Sequence, residues 1–182
     1  MLQSDRSLFV SLLLLALSLV GVGLVAPPAA AQSDPPATTP GVVVALDTDG
    51  SARMTLTVTF DLTTDGDRRA FAALRDDVVL RERRTTAFAD RLSRVAAAVA
   101  TETGRSMRVR DPGLSVVERD DTGAVSLSVT WEGLAARDGD RLVVAAPFAE
   151  GFDADGRLRV AGPDGYALAD ATPTPTTSEL TA

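Results

Sequence analysis

From Ala52 to Leu62 the chain alternates apolar and polar residues without a break: Met54, Leu56, Val58, Phe60 and Leu62 fall on one side, and Thr55, Thr57, Thr59 and Asp61 on the other. Side chains of a strand alternate faces, so this is the pattern of a half-buried antiparallel strand, and it requires a second layer to cover its apolar side. The Asp49-Gly50 pair before it predicts a turn back to a preceding strand over Val42 to Asp47, because that pair accepts positive φ. A second alternation places Val125, Leu127, Val129 and Trp131 opposite Ser126, Ser128, Thr130 and Glu132.

The covering layer is predicted between these strands. A short helix from Asp67 would carry Phe71, Leu74 and Val78 on one side, followed by a charged stretch through Arg81, Glu82, Arg83 and Arg84. The main amphipathic helix is expected over about 85–103, capped by Thr85 or Thr86, with Phe88, Leu92, Val95 and Val99 at helical spacing and Gly104 ending it. Met107 to Arg110 and Leu114 to Arg119 read as two strands separated by Asp111-Pro112-Gly113, and Arg141 to Ala146 and Arg157 to Val160 as further strands. Strands before and after a helical insertion indicate an α+β fold, an antiparallel sheet of several strands packed against one main helix. A doubly wound parallel sheet would need helices between successive strands.

Outside this body the composition changes. Leu8 to Ala26 is an uncharged apolar run whose Leu-rich stretch favours a helix, followed by Pro27-Pro28 and Ala29-Ala30-Ala31, the order of a secretory signal with cleavage after Ala31. An uncleaved anchor is the alternative, since about 18 apolar residues suffice to cross a bilayer. The organisation expected is therefore a signal over 1–31, a Pro/Thr linker over 32–40, one domain over 41–170 and a Pro/Thr-rich tail over 171–182. This places the domain outside the cell or at the cell envelope, with membrane contact only through residues 8–26 if the leader stays.

Charge and missing residue types exclude several functions. The net charge is −7 and the pI about 4.6, so the overall field repels polyanions and a nucleic-acid partner is disfavoured. All basic residues are Arg, while Lys, Asn and Ile, which share AT-rich codons, are absent. With the excess of Asp over Glu, this points to a halophilic archaeon, where molar salt screens an acidic surface; a GC-rich actinobacterium is the rival source. The absence of His removes the usual general base and imidazole ligands, and the absence of Cys removes thiol nucleophiles and disulfides. Lysine chemistry is missing too, leaving carboxylate pairs as the available catalytic groups and arguing against an enzyme. No catalytic residue and no cofactor are assigned.

Three residue groups remain as candidate sites. Asp47-Thr48-Asp49-Gly50 and Asp153-Ala154-Asp155-Gly156 have the D-x-D-G form that opens calcium loops, which makes Asp47, Asp49, Asp153 and Asp155 the metal candidates. Both lack the later ligands of a twelve-residue loop, and Asp-Gly is itself a favoured hairpin turn, so a turn is the reading preferred. Arg81, Arg83, Arg84, Arg91 and Arg94 form a positive cluster suited to an acidic partner or anionic surface polymer, or simply a solvated helix face neutralised by Asp76, Asp77, Glu82 and Asp90. Trp131, alone on the apolar side of its strand, reads as core rather than as a ligand platform.

The stretch GAVSLSVTWEGLAARDGDRLVVAAPFAEGF from Gly123, then DGRLRV, PDGYAL and the Pro-Thr-Pro tail, together with TGRSM at Thr103 to Met107, resembles an uncharacterised family of haloarchaeal exported or membrane-anchored domains. The matching residues, Trp131, Gly133, Phe148, Gly151 and Tyr166, are structural, so the resemblance implies habitat and fold and no activity. The function expected is a non-catalytic binding or sensing module whose partner is an unknown envelope component or protein. The alternatives are a secreted carboxylate-dependent hydrolase and a shortened relic of a membrane-anchored sensor or regulator, because similar chains continue into a membrane helix.

Overall fold

A computed structural model describes residues 22–25, 39–144 and 157–170. The Asp49-Gly50 turn joins β2 (Gly41–Leu46) to β3 (Ala52–Asp61), paired antiparallel from Gly41 opposite Thr57 to Leu46 opposite Ala52. Two helices follow, α1 (Asp65–Asp76) and α2 (Val78–Thr103), then β4 (Arg108–Arg119) and β5 (Thr122–Glu132). β5 lies between β3 and β4, and β8 (Leu158–Ala161) adds to β2 in parallel, so the main sheet has the order β4-β5-β3-β2-β8. The expected α+β fold, an antiparallel sheet covered by one long helix, is the one found; the parallel β8 edge is the exception to its antiparallel rule.

A second sheet was not foreseen. β6 (Ala135–Asp138) and β7 (Arg141–Val144) form a hairpin, and β1 (Val22–Val25) lies between β7 and β9 (Ala167–Asp170), antiparallel to both, in the order β6-β7-β1-β9. Val22–Val25 is the end of the apolar run that was expected to be helical. Its Val-Gly-Leu-Val composition differs from the Leu-rich part before it, and valine's branched side chain suits a pleated strand better than a helix. Residues 8–21 and the Ala31 cleavage site lie outside the described residues, among which no helix is long and apolar enough to cross a membrane.

Both sheets feed one core. Val42, Val44, Leu46, Met54, Val129 and Trp131 of the main sheet pack with Leu92 and Ala96 of α2 and with Leu134, Leu142 and Val144 around the small sheet. Trp131 and Val129 are completely enclosed, as the alternation of β5 required. On β3 the alternation holds for Met54, whereas Val58 is 46% exposed. The packing partners that reach this face of β3 sit at its two ends, the Leu92–Ala96 cluster with Met54 and Phe71 of α1 with Phe60, ring centroids 5.8 Å apart. On the opposite face Thr57 and Ser126 hydroxyls meet at 2.9 Å, and Arg53 donates to Ser128 Oγ at 3.0 Å.

Two boundaries differ from expectation. α2 begins at Val78 rather than Thr85, so the charged stretch is its first turns; Thr85 caps nothing and donates its hydroxyl to the Arg81 carbonyl at 2.8 Å. Asp111-Pro112-Gly113 does not end a strand but makes a register shift within β4, with Asp111 at φ 52. β4 is an edge strand, where a proline without an N–H is tolerated. Gly104 does end α2, at φ 66.

Candidate binding surface on the helical layer

The joint between the helices is one residue long. Thr64 caps α1 by accepting from the Asp67 N–H at 3.3 Å, and Asp77 both closes α1, through its N–H on the Ala73 carbonyl, and caps α2 by accepting from the Leu80 N–H at 3.0 Å. At the start of α2, beyond this tight joint, Val78 and Val79 are 58% and 54% exposed. Val78 was expected on the apolar side of the short helix with Phe71 and Leu74; as the first residue of α2 it faces outward. Ala72, Ala73, Asp76, Asp77 and the two valines line an open cleft of about 620 Å³.

Arginines hold this joint and extend from it. Arg75 donates to Asp76 at 2.9 and 3.2 Å and to Glu118 of β4 at 3.0 Å, tying α1 to the sheet edge. Those bonds, Asp76 first, hold the Arg75 guanidinium above its ordinary pKa and, reciprocally, the Asp76 carboxyl below its own. Arg81 donates to the Arg75 carbonyl. Asp76 and Asp77, two of the acids expected to neutralise the cluster, are hydrogen-bonded by Arg75 and by the helix cap, and of the cluster only Arg81 adds, after Arg75, to the lowering of the Asp76 pKa. Among the described residues, no carboxylate lies within 4.0 Å of the guanidinium groups of Arg81, Arg83, Arg84, Arg91 or Arg94. Arg83, Arg84 and Arg94 are exposed. Arg91 is half-buried, one of its terminal nitrogens is enclosed without a partner, and burial followed by repulsion from Arg94 lowers its pKa.

These arginines are spread along α2, Arg81, Arg83 and Arg84 in its first turns after exposed Val78 and Val79, and Arg91 and Arg94 in the half anchored by Leu92, Ala96 and Val99. Chemically the helix offers planar donors to carboxylate, sulfate or phosphate oxygens together with a small apolar contact. Sequence reading located the arginines but missed the valines, although Asp77 immediately before Val-Val-Leu was the available sign of a helix start there.

The other candidates fall elsewhere. Asp49 Oδ1 accepts from both the N–H and the hydroxyl of Ser51, at 2.8 and 2.6 Å, and these bonds, the hydroxyl's first, lower its pKa. Asp47 contributes its backbone, with its N–H on Ser51 O at 2.8 Å and its carbonyl accepting from Gly50 at 3.0 Å. Gly50, at φ 86, sits where a Cβ would lie 2.6 Å from the Ala135 carbonyl, and its own carbonyl accepts from the Ala135 N–H at 2.9 Å, so this turn is docked against β6. Among the described residues no three His, Cys, Asp or Glu side chains converge as metal ligands, and Asp153 and Asp155 lie outside them. Trp131 is in the core, with its indole N–H enclosed and unpartnered. Arg105, beyond the end of α2, donates to the Leu134 carbonyl at 3.1 Å, and burial lowers its pKa.

One family model, described as a domain of unknown function (DUF7345), matches residues 43–166. No curated protein and no solved structure matches the chain.

Proposed function

The chain belongs to the DUF7345 family of domains of unknown function, and we propose that it is a non-catalytic binding or sensing module of the cell envelope of a halophilic archaeon, engaging an anionic partner through α2. The observation that carries this reading is the set of five α2 arginines without a carboxylate within salt-bridge distance, with Val78 and Val79 exposed at the start of the same helix, in a chain of net charge −7. In an acidic protein, exposed cations left without a carboxylate partner, such as Arg83, Arg84 and Arg94, are groups available to an outside anion. In molar salt the Debye length is only about 3 Å, so direct fork-to-oxyanion contact, rather than long-range attraction, must supply the binding. The apolar leader supplies the export signal, and the Pro/Thr segments are tethers.

Retention of the full chain on sulfated dextran, against neutral dextran, in a rising sodium chloride gradient tests the surface. Arg83→Ala/Arg84→Ala/Arg94→Ala should elute at lower salt than the parent, while Arg137→Ala/Arg141→Ala/Arg159→Ala, equal in charge and away from α2, should elute close to it. Equal losses in both triples would reduce the effect to net charge and refute the α2 surface. Fractionation of native cells with mass spectrometry of the N-terminus tests location, and intact leader on a cytosolic species refutes it.

A further inference from the structure

At the joint between the helices, acidic, apolar and basic groups follow one another along one line of surface. Asp76 and Asp77 line the open cleft with Val78 and Val79, and Arg83 and Arg84 stand one helical turn beyond Val79 and Leu80. At 1.5 Å per residue the step from Asp77 to Arg84 is roughly 10 Å. Building on the reading of α2 as a surface for an anion, we propose that its partner is a second copy of this chain, docked with the two α2 starts antiparallel about a two-fold axis near Leu80.

Such an axis exchanges the ends of the line. Asp76 and Asp77 of one copy meet Arg84 and Arg83 of the other, and the same contacts form again across the axis, because a two-fold interface is self-complementary. A parallel, in-register alignment would set acid on acid and guanidinium on guanidinium. Val79, 54% exposed, and Leu80, half-buried, fall at the centre, so an apolar patch leaves water while the ion pairs rim it. An extended polyanion on the same line would satisfy the arginines and then be repelled by Asp76 and Asp77; the second copy uses both sets of charges.

Each charge has capacity for the contact. Asp76 is held by Arg75, yet its side chain stays 64% exposed, and a carboxylate offers about four lone-pair sites. Asp77 caps α2 through Oδ1 alone. Arg83 and Arg84 are exposed and have no carboxylate within 4.0 Å among the described residues. Arg81 is turned to the Arg75 carbonyl, and Glu82, two residues past Leu80 and so about 200° around the helix, lies on its far side. A contact limited to these turns falls below the roughly 1,200–2,000 Å² of stable interfaces, so dimerisation is reversible and rises with concentration.

Sedimentation velocity of the full chain over a range of concentrations in molar sodium chloride tests the pairing. Arg84→Glu and Asp76→Arg each set like charges across the axis, and each should weaken dimerisation at least about tenfold. Mixed in equal amounts they form one native and one reversed ion pair, and association should return to within about threefold of the parent. A parent that stays monomeric at the highest concentration, variants that associate like the parent, or a mixture no tighter than its components overturns the second copy. Should Asp76→Arg not fold, Arg84→Glu against Arg84→Ala decides, and a reversal that costs no more than removal overturns it too. Retention on sulfated dextran is scored apart. Loss specific to the α2 triple with a monomeric parent overturns the second copy and upholds the anion-binding surface. Recovery by the mixture with equal losses in both triples upholds the second copy and overturns the outside polymer.

Discussion

Phe71 is the bolt that fastens α1, and with it the exposed helical joint, to the main sheet, and its seat depends on a missing side chain. A Cβ built on Gly123 would lie 2.6, 2.7 and 2.9 Å from three ring atoms of Phe71, itself 2% exposed and packed against Phe60. Ordinary carbon contacts are about 3.5–4 Å, so Gly123→Ala demands a ring displacement on the order of 1 Å. Overpacking of this kind costs about 1–3 kcal/mol, and the lower backbone entropy of alanine in a strand returns about 0.5–1 kcal/mol. We therefore expect a net loss of about 1–2 kcal/mol.

Phe71→Leu should lose about 1–2 kcal/mol, less than the roughly 3–5 kcal/mol of a truncation to alanine. The informative variant is the pair. The alanine methyl would occupy space vacated by the ring, so the double variant should be more stable than the sum of single losses by about 1 kcal/mol or more. Urea unfolding monitored by Trp131, the only tryptophan, measures all three on one scale. Additive losses within about 0.5 kcal/mol, or a Gly123→Ala variant as stable as the parent, would refute the seat described for Phe71.

Asp77→Ala should cost about 1 kcal/mol by urea unfolding, because it strands the Leu80 N–H at the start of α2, while Asp77→Ser should retain most of the stability. Asp49 has a depressed folded-state pKa, so its contribution is present above the ordinary carboxylate pKa and lost as pH falls through the depressed value; Ser51→Ala should raise the Asp49 midpoint in a carboxyl NMR titration and shrink that acid-side loss. Trp131→Ala should cost about 3–5 kcal/mol by circular dichroism, and Trp131→Phe about 1–2 kcal/mol, since the enclosed indole N–H has no partner to lose.

The parts of the fold that were legible in the sequence are those with one buried face and enough length to show a period. β3 and β5, ten and eleven residues long, carry their alternation openly. From Phe88 onward α2 repeats Leu92, Val95, Ala96 and Val99 at helical spacing because this is the part that meets the core. β6 and β9 are four residues each, too short for any period to stand out. β1 was hidden differently: inside a continuous apolar run, two-residue and helical periodicities cannot be told apart, and only pairing with β7 and β9 distinguishes them. Proline at position 112 signalled a break correctly as local chemistry, yet the edge position of β4 turned the break into a bulge.

The candidate site was obscured by the same property that makes it a candidate. A helix is recognised by its apolar stripe, and the stripe exists only where the helix is anchored; from Val78 to Arg84 the chain instead presents two outward valines and a run of charge, so the pattern reads as a break before the helix begins. A short cap at Asp77 and the continuous backbone ladder keep that portion helical without burial. Local sequence logic therefore fails here because Val78, Val79, Arg83 and Arg84 bury nothing within their own chain, and a surface helix turn that satisfies no internal packing rule is where contact with another molecule has physical room to act.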